Sequence, residues 1–169
     1  MPRPTDLTSF AAYARALAGL TSERIETMRA LAAEVEPYLE GVTDRFYARL
    51  ESVPETRAWI DGRVESLRKP HRDWLTMLFR TDFGAGYAQT LMRIGDAHAK
   101  AGLPVDFLIA GMTVVQEALQ PVVLAGARAK PFAEAARLAS VNAALGCSLV
   151  MLQRAYATRA ATPSPPRAA

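Results

Sequence analysis

The stretch Ile94-Gly95-Asp96-Ala97-His98-Ala99-Lys100-Ala101-Gly102-Leu103-Pro104-Val105 has the pattern of one helix ending and another beginning. Gly102 is typical of the residue that follows a helix, and Pro104 suits the first turn of the next one. His98 shares a helical face with apolar residues of the preceding turns, which are Ile94, Leu91 and Tyr87. The spacing therefore directs the imidazole of His98 toward apolar surroundings.

Helical periodicity extends from this stretch in both directions. It predicts helices over about residues 6–20, 21–35, 37–52, 54–60, 63–79, 87–100, 104–127 and 131–159. Pro70 lies inside the fifth of these, where we expect a kink or a restart of the helix. The segment 81–86 is predicted to be a loop. Because no strand-like alternation occurs, the chain is predicted to be an all-α domain.

The composition is that of an ordinary globular domain. The chain has 169 residues, of which 50% are hydrophobic and 22% are charged. We expect one domain over residues 1–160 and a disordered, Pro-rich tail over residues 161–169.

The formal net charge of +3 comes without a dense Lys/Arg block, which argues against a nucleic-acid partner. The N-terminal residues lack the apolar core of a signal peptide, and no uninterrupted apolar run is long enough to span a membrane, so we expect a cytoplasmic protein.

Few residues in the sequence have the spacing of a reactive site. The chain contains no CxxC, HExxH, GxSxG or glycine-rich phosphate motif, and its acidic residues are scattered, so no catalytic residue is predicted. The histidines His71 and His98 remain. By spacing alone, His98 is either a structural histidine or a metal ligand whose tautomer the carbonyl one turn earlier would fix. Tyr47, on an apolar helix face, is either an amphipathic core residue or a functional phenol.

Three local patterns carry a resemblance to a known family. They are Phe46-Tyr47-Ala48-Arg49-Leu50 followed by Val53-Pro54-Glu55; Val64-Glu65-Ser66-Leu67 followed by Trp74-Leu75 and Leu78-Phe79; and the stretch around His98. With them the chain resembles, over about residues 20–123, the sensor globins of bacterial globin-coupled sensors, which are related to protoglobins. It is most similar to those joined to a diguanylate cyclase. The resemblance implies an all-α globin fold, a three-over-three helical sandwich with an extra N-terminal helix.

The resemblance also implies a role for three residues. His98 becomes the proximal ligand of the iron of haem b. Tyr47 becomes the distal hydroxyl that donates a hydrogen bond to bound dioxygen, and Leu67 becomes an apolar distal residue that limits the access of water. These roles agree with the chemistry, because dioxygen on ferrous iron carries partial negative charge and carbon monoxide gains little from a phenol donor.

Two positions depart from the family pattern. Pro70 lies where related sensors have a small or hydroxyl residue over the haem, and the adjacent His71 lies either at the pocket rim near a haem propionate or close enough to reach the iron as a sixth ligand. After the proximal histidine, Leu108 lacks the hydroxyl of a tyrosine that has been assigned to signalling in some sensors.

Further residues either line the porphyrin or only pack the core, and these are Phe46, Trp74, Leu78, Ile94, Leu103, Phe107 and Met112.

Three functions follow as hypotheses. The first is a gas sensor that binds dioxygen, carbon monoxide or nitric oxide and is not itself an enzyme, with its output on a domain outside this chain or on a signalling partner. The second is a stand-alone globin for oxygen storage or nitric oxide dioxygenation, although the sequence has no flavin or nicotinamide motif to supply a reductant. The third is a haem-free interaction module, against which the presence of His98 and Tyr47 argues.

The last two long helices are apolar or small on several faces, as a helix that packs on a second subunit is expected to be. Related sensor globins dimerise through these helices, so we expect a homodimer. The residues concerned are Ala110, Gly111, Val114, Val115, Ala118, Ala135, Ala139, Val141, Ala143, Leu145 and Leu149.

Overall fold

The computed structural model describes residues 4–125 and 131–160, and every regular element within them is a helix. Eight α-helices are present in the described residues, with one 3-10 turn at Glu36–Tyr38. The helices are α1 (Leu7–Leu17), α2 (Ser22–Val35), α3 (Leu39–Ser52), α4 (Pro54–Ile60), α5 (Val64–Leu78), α6 (Ala85–Lys100), α7 (Val105–Ala125) and α8 (Pro131–Ala160). The predicted all-α class is confirmed. The predicted tail lies outside the described residues.

Side-chain and glycine caps define three of the helix ends that the sequence indicates. The Asp6 carboxylate accepts a 2.9 Å hydrogen bond from the Ser9 amide at the start of α1. Thr21 caps α2 in the same way. At the end of α6, Gly102 has a φ of +79°, and the Leu103 amide returns to the His98 carbonyl at 3.0 Å. The helix that carries His98 therefore ends where the sequence predicts.

Two predicted boundaries differ from the structure. Helix α5 continues through Pro70, so of the two predicted outcomes, a kink or a restart, the restart is wrong and the kink stays a prediction. The proline removes one backbone hydrogen bond, while the fully buried Leu75 and Leu78 hold the helix in the core. The predicted loop over residues 81–86 is also too long, because α6 begins at Ala85. Phe83, which is buried and has a φ of 55°, turns the chain just before that start.

The helices pack in two groups around one hydrophobic core. Helix α8 packs against α1, α2, α6 and α7, while α3 packs against α4, α5 and α7. Helix α7 therefore contacts both groups. The largest side chains in the core come from both groups and are Met28, Leu31, Leu39, Leu75, Leu78, Phe79, Phe83, Leu91, Leu119 and Met151. This packing leaves a cavity that α3 to α8 all border.

Helices α6 and α8 pack closely at Gly95. A Cβ atom at that position would lie 2.2 Å from the carbonyl oxygen of Leu152, so only glycine fits without a shift of the backbone. Gly95 lies one turn before His98 on α6, and Leu152 borders the cavity. The contact therefore fixes the position of the helix that carries His98.

Two helices are long and apolar enough to cross a membrane by length and composition alone, at Val105–Ala125 and Ala133–Ala157. In this fold they are core helices. Their windows are 33% and 50% buried inside the domain, and α8 packs against four other helices. Their composition therefore does not indicate a membrane protein.

Candidate functional site

A cavity of about 270 Å³ brings together nearly all of the predicted site residues. Those that line it are Phe46, Tyr47, Leu67, Pro70, His71, Trp74, Ile94, His98, Leu103, Phe107 and Met112. Leu78 does not line it. This residue continues the face of α5 that borders the cavity, but the cavity ends one turn earlier at Trp74, so Leu78 packs in the core instead.

His98 projects from α6 into the cavity lining. Its Nδ1 atom is buried and has no hydrogen-bond partner. Burial lowers the pKa of the imidazole, and the Ile94 carbonyl one turn earlier partly opposes that shift. The carbonyl anticipated from the sequence is therefore nearby, although it does not reach hydrogen-bond geometry. A lowered pKa keeps the ring neutral at pH 7, with a lone pair for a metal ion.

Tyr47 supplies a hydroxyl to the same cavity from α3. The residue is 6% exposed, and its hydroxyl donates a hydrogen bond to the Leu67 carbonyl oxygen at 3.0 Å. Burial raises the pKa of Tyr47 to about 12, against a smaller opposing effect of the Arg68 charge. The phenol is therefore protonated at neutral pH and acts as a hydrogen-bond donor.

His71 lies among aromatic rings on the α3–α5 side of the cavity. Its ring stacks on Phe46 with centroids 4.3 Å apart and an interplanar angle of 16°, and it contacts Tyr47 and Trp74 at 5.7 Å each. Nδ1 lies 3.1 Å from the Thr43 hydroxyl, while Nε2 is buried without a hydrogen-bond partner. Burial lowers the pKa of His71 to about 4, so the ring is neutral at pH 7.

A chain of buried hydrogen bonds connects this wall to the last helix. The Trp74 indole donates to the Tyr87 hydroxyl at 3.3 Å, and that hydroxyl lies 2.8 Å from the Ser148 hydroxyl. Ser148 in turn donates to the Ala144 carbonyl at 2.8 Å. The chain links α5, α6 and α8 at the inner end of the cavity.

Sequence reasoning missed about half of the lining. The additional residues are Leu50, Thr56, Trp59, Ile60, Arg63, Leu91, Ala101, Leu108, Gly111, Val115 and Leu152. Helical spacing could have indicated Arg63, because it lies one turn before Leu67. No local pattern indicates Leu152, because its place in the lining depends on how α8 crosses α6.

The lining is almost entirely apolar, and its polar groups are few. Among the lining residues Arg63 alone carries a permanent charge. Within residues 4–125 and 131–160, no three His, Cys, Asp or Glu side chains cluster to hold a metal ion by themselves. An apolar cavity with a neutral histidine in its wall fits a haem, which brings four ligands of its own to the iron and can take an imidazole as an axial one.

Comparisons with known proteins agree with this geometry. The sequence profile of the family described as Protoglobin matches residues 9–160, and the chain therefore belongs to the protoglobin family. No curated protein sequence is significantly similar to the chain.

Solved globin domains share its fold. The globin domain of the Geobacter sulfurreducens globin-coupled sensor superposes with a TM-score of 0.78 at 25% identity, covering 86% of this chain and 96% of that one. The ferric globin domain of E. coli DosC superposes with a TM-score of 0.72 at 16% identity, covering 85% and 97%. Its ferrous form gives 0.69 at 19% identity with the same coverage. At these lower identities the DosC domains support the fold alone. The predicted relationship to sensor globins is confirmed.

Proposed function

We propose that this chain is a haem-binding globin domain that binds dioxygen, carbon monoxide or nitric oxide reversibly and serves as a gas sensor. One observation carries the proposal: the same apolar cavity is lined by a neutral, partly buried imidazole, His98, and a protonated, buried phenol, Tyr47. A globin sensor domain is not itself a catalyst, so the proposal places any chemical output on another domain or partner.

The residues of the cavity fit haem b. His98, whose neutral ring lines the cavity, would hold the iron on one side. The aromatic and aliphatic lining, including Trp74, Phe107 and Met112, would pack the porphyrin. When bound, haem supplies the ferrous iron to which a diatomic gas attaches.

Tyr47 and Leu67 would set the preference among gases. The phenol proton stabilises a ligand that carries partial negative charge, and it does so more strongly in a pocket from which water is excluded. The Leu67 side chain lines the cavity next to this hydroxyl and limits water there. Dioxygen therefore gains more from Tyr47 than carbon monoxide does.

In this proposal, His71 determines whether the haem iron is five- or six-coordinate when no gas is bound. Its ring is packed among Phe46, Tyr47 and Trp74, and its buried Nε2 atom has no partner. If Nε2 bound iron, a gas would first have to displace it. Low-spin bands in the unliganded ferrous protein that disappear in His71→Phe would identify that state, and five-coordinate bands in both proteins would assign His71 to packing.

We also propose a cytoplasmic homodimer that forms through α7 and α8. Much of the small and apolar surface of these helices is already used inside one chain, since Val115, Ala118, Val141, Ala143 and Leu145 are buried. Support for a partner subunit comes from α7, where Val105 and Ile109 are 41% and 47% exposed. A second subunit would cover these apolar side chains.

Haem uptake tests the proposed function. The apoprotein is titrated with haem, reduced, and exposed to dioxygen or carbon monoxide while the Soret band is recorded. We expect stoichiometric uptake and distinct, reversible spectra for each gas. A protein that takes up no haem, or one that binds haem but no gas, contradicts the proposal.

A further inference from the structure

We propose that Arg63 binds a haem propionate and so determines which edge of the cavity the charged side of the haem occupies, an inference that rests on the proposed function. Haem b carries two carboxylates on one edge, and a carboxylate in an apolar pocket must reach water or a cation. The residues around Arg63 offer a propionate both access to water and a cation.

Arg63 is the residue immediately before α5 and lines the cavity. It precedes Leu67 by one turn and Pro70 by two, and all three residues line the cavity. The residue itself is exposed, so its side chain spans from the cavity lining to solvent. A long amphipathic arginine side chain can pack its methylene groups on apolar surface and keep its guanidinium in water.

The neighbouring residues form an open edge of the cavity at this point. The ring of Trp59, at the end of α4, lies 3.5 Å from where a Cβ atom of Gly102 would be, so α4 meets the turn between α6 and α7 here. Ala101, in that turn, also lines the cavity and is exposed. Arg63 and Ala101 both line the cavity and are both exposed, so the cavity reaches solvent at these residues.

The guanidinium of Arg63 has no side-chain hydrogen bond or ion pair within residues 4–125 and 131–160. Three other cations of α5 and α6 are paired: Arg68 with Asp44, Lys69 with Asp73 and Lys100 with Asp96. Among the residues that line the cavity, Arg63 is the one Lys or Arg, and its guanidinium is available to a carboxylate. A carboxylate accepts two parallel hydrogen bonds from a guanidinium, which an ammonium cannot reproduce.

The test measures the rate of haem loss to an excess of a haem-scavenging apoglobin. Wild type, Arg63→Gln and Arg63→Lys are compared, with Arg72→Gln as the control because Arg72 is an exposed arginine on α5 that does not line the cavity. Each protein is loaded either with haem or with haem dimethyl ester, in which the propionates are neutral and cannot pair with a cation.

For a partly exposed ion pair, we expect Arg63→Gln to release haem about two- to fivefold faster than wild type. The dimethyl ester should leave both proteins at the same rate, Arg63→Lys should recover part of the difference, and Arg72→Gln should behave as wild type. High salt should reduce the difference between Arg63→Gln and wild type.

Two results would overturn the assignment. Equal haem loss from Arg63→Gln and wild type shows that no propionate pairs with Arg63. An equal acceleration for haem and for its dimethyl ester shows that Arg63 acts by packing rather than by charge. Both results are obtained on proteins that bind haem, so they leave the proposed function intact, whereas a wild type without haem uptake contradicts both proposals.

Discussion

The hydroxyl of Tyr47 donates its hydrogen bond to the backbone carbonyl of Leu67, across 3.0 Å between α3 and α5. The same proton is the one that dioxygen would use in the proposed site. A gas that draws the phenol away from the carbonyl therefore changes a contact between two helices. In the proposed site, this exchange would connect ligand binding at the iron to the packing of α3 on α5.

Tyr47→Phe is expected to weaken the binding of dioxygen selectively. Loss of a hydrogen bond to a partly charged ligand should raise the dissociation rate of dioxygen about tenfold or more. Carbon monoxide should dissociate at close to the wild-type rate. Stopped-flow replacement of each gas measures both rates in the same samples, and an equal change for the two gases would contradict the donor role.

His71 makes the stability of the haem-free protein depend on pH. Its pKa falls from 6.5 to about 4 on folding because burial disfavours the charged ring. The unfolded chain therefore binds an extra proton between these pH values. The contribution of His71 to the free energy of unfolding is fully present above about pH 6.5. It is lost as the pH falls toward 4, by up to about 3 kcal/mol.

Urea unfolding of the apoprotein from pH 4 to pH 8 measures this dependence. The pKa of His98 is lowered in the same direction, so the wild-type curve contains both histidines. His71→Phe keeps a ring against Phe46 and removes only the contribution of His71. The pH dependence should be shallower in this variant, and identical slopes for the two proteins would rule out the buried, neutral His71.

Gly95→Ala is expected to destabilise the domain. The added methyl group would meet the Leu152 carbonyl at 2.2 Å, so α6 and α8 must separate, at a cost of about 1–3 kcal/mol. Gly86→Ala is the matched control on the same helix, since no atom lies within 4 Å of its Cβ position. Thermal and urea unfolding should show a loss for position 95 and no loss for position 86, and similar values for both would disprove the close approach.

Tyr87→Phe should destabilise the inner end of the cavity. It removes the hydroxyl that joins the Trp74 indole to Ser148 and leaves the indole N–H without its partner. Such a loss costs about 1–3 kcal/mol in the free energy of unfolding. Ser148→Ala keeps the Trp74 bond but leaves the Tyr87 O–H without its acceptor, so it should be destabilising as well. Urea unfolding measures both variants, and a Tyr87→Phe protein as stable as wild type would contradict a contribution from this chain of hydrogen bonds.

Local sequence patterns predict much of this fold because its helix ends are set locally. Asp6, Thr21 and Gly102 act within a few residues of themselves, so each boundary can be read from the residues around it. Pro70 shows the limit of that reasoning. Its local preference is to break the helix, but the burial of Leu75 and Leu78 outweighs the lost hydrogen bond.

The candidate site is predictable only in part, for a related reason. His98 and Tyr47 stand on apolar helix faces, which spacing shows, but spacing does not distinguish a ligand from a core residue. The resemblance to sensor globins supplied that distinction. Leu152 and Trp59 reach the cavity through the crossing of distant helices, which no local pattern contains.

The central claim is that His98 holds the iron, and His98→Gly tests it most directly. The variant and wild type are loaded with haem, reduced, and recorded with and without added imidazole. We predict that wild type shows the spectrum of a histidine-ligated haem, that His98→Gly loses it, and that imidazole restores it by occupying the vacated place. A His98→Gly protein that keeps the wild-type ferrous spectrum without imidazole would contradict the claim.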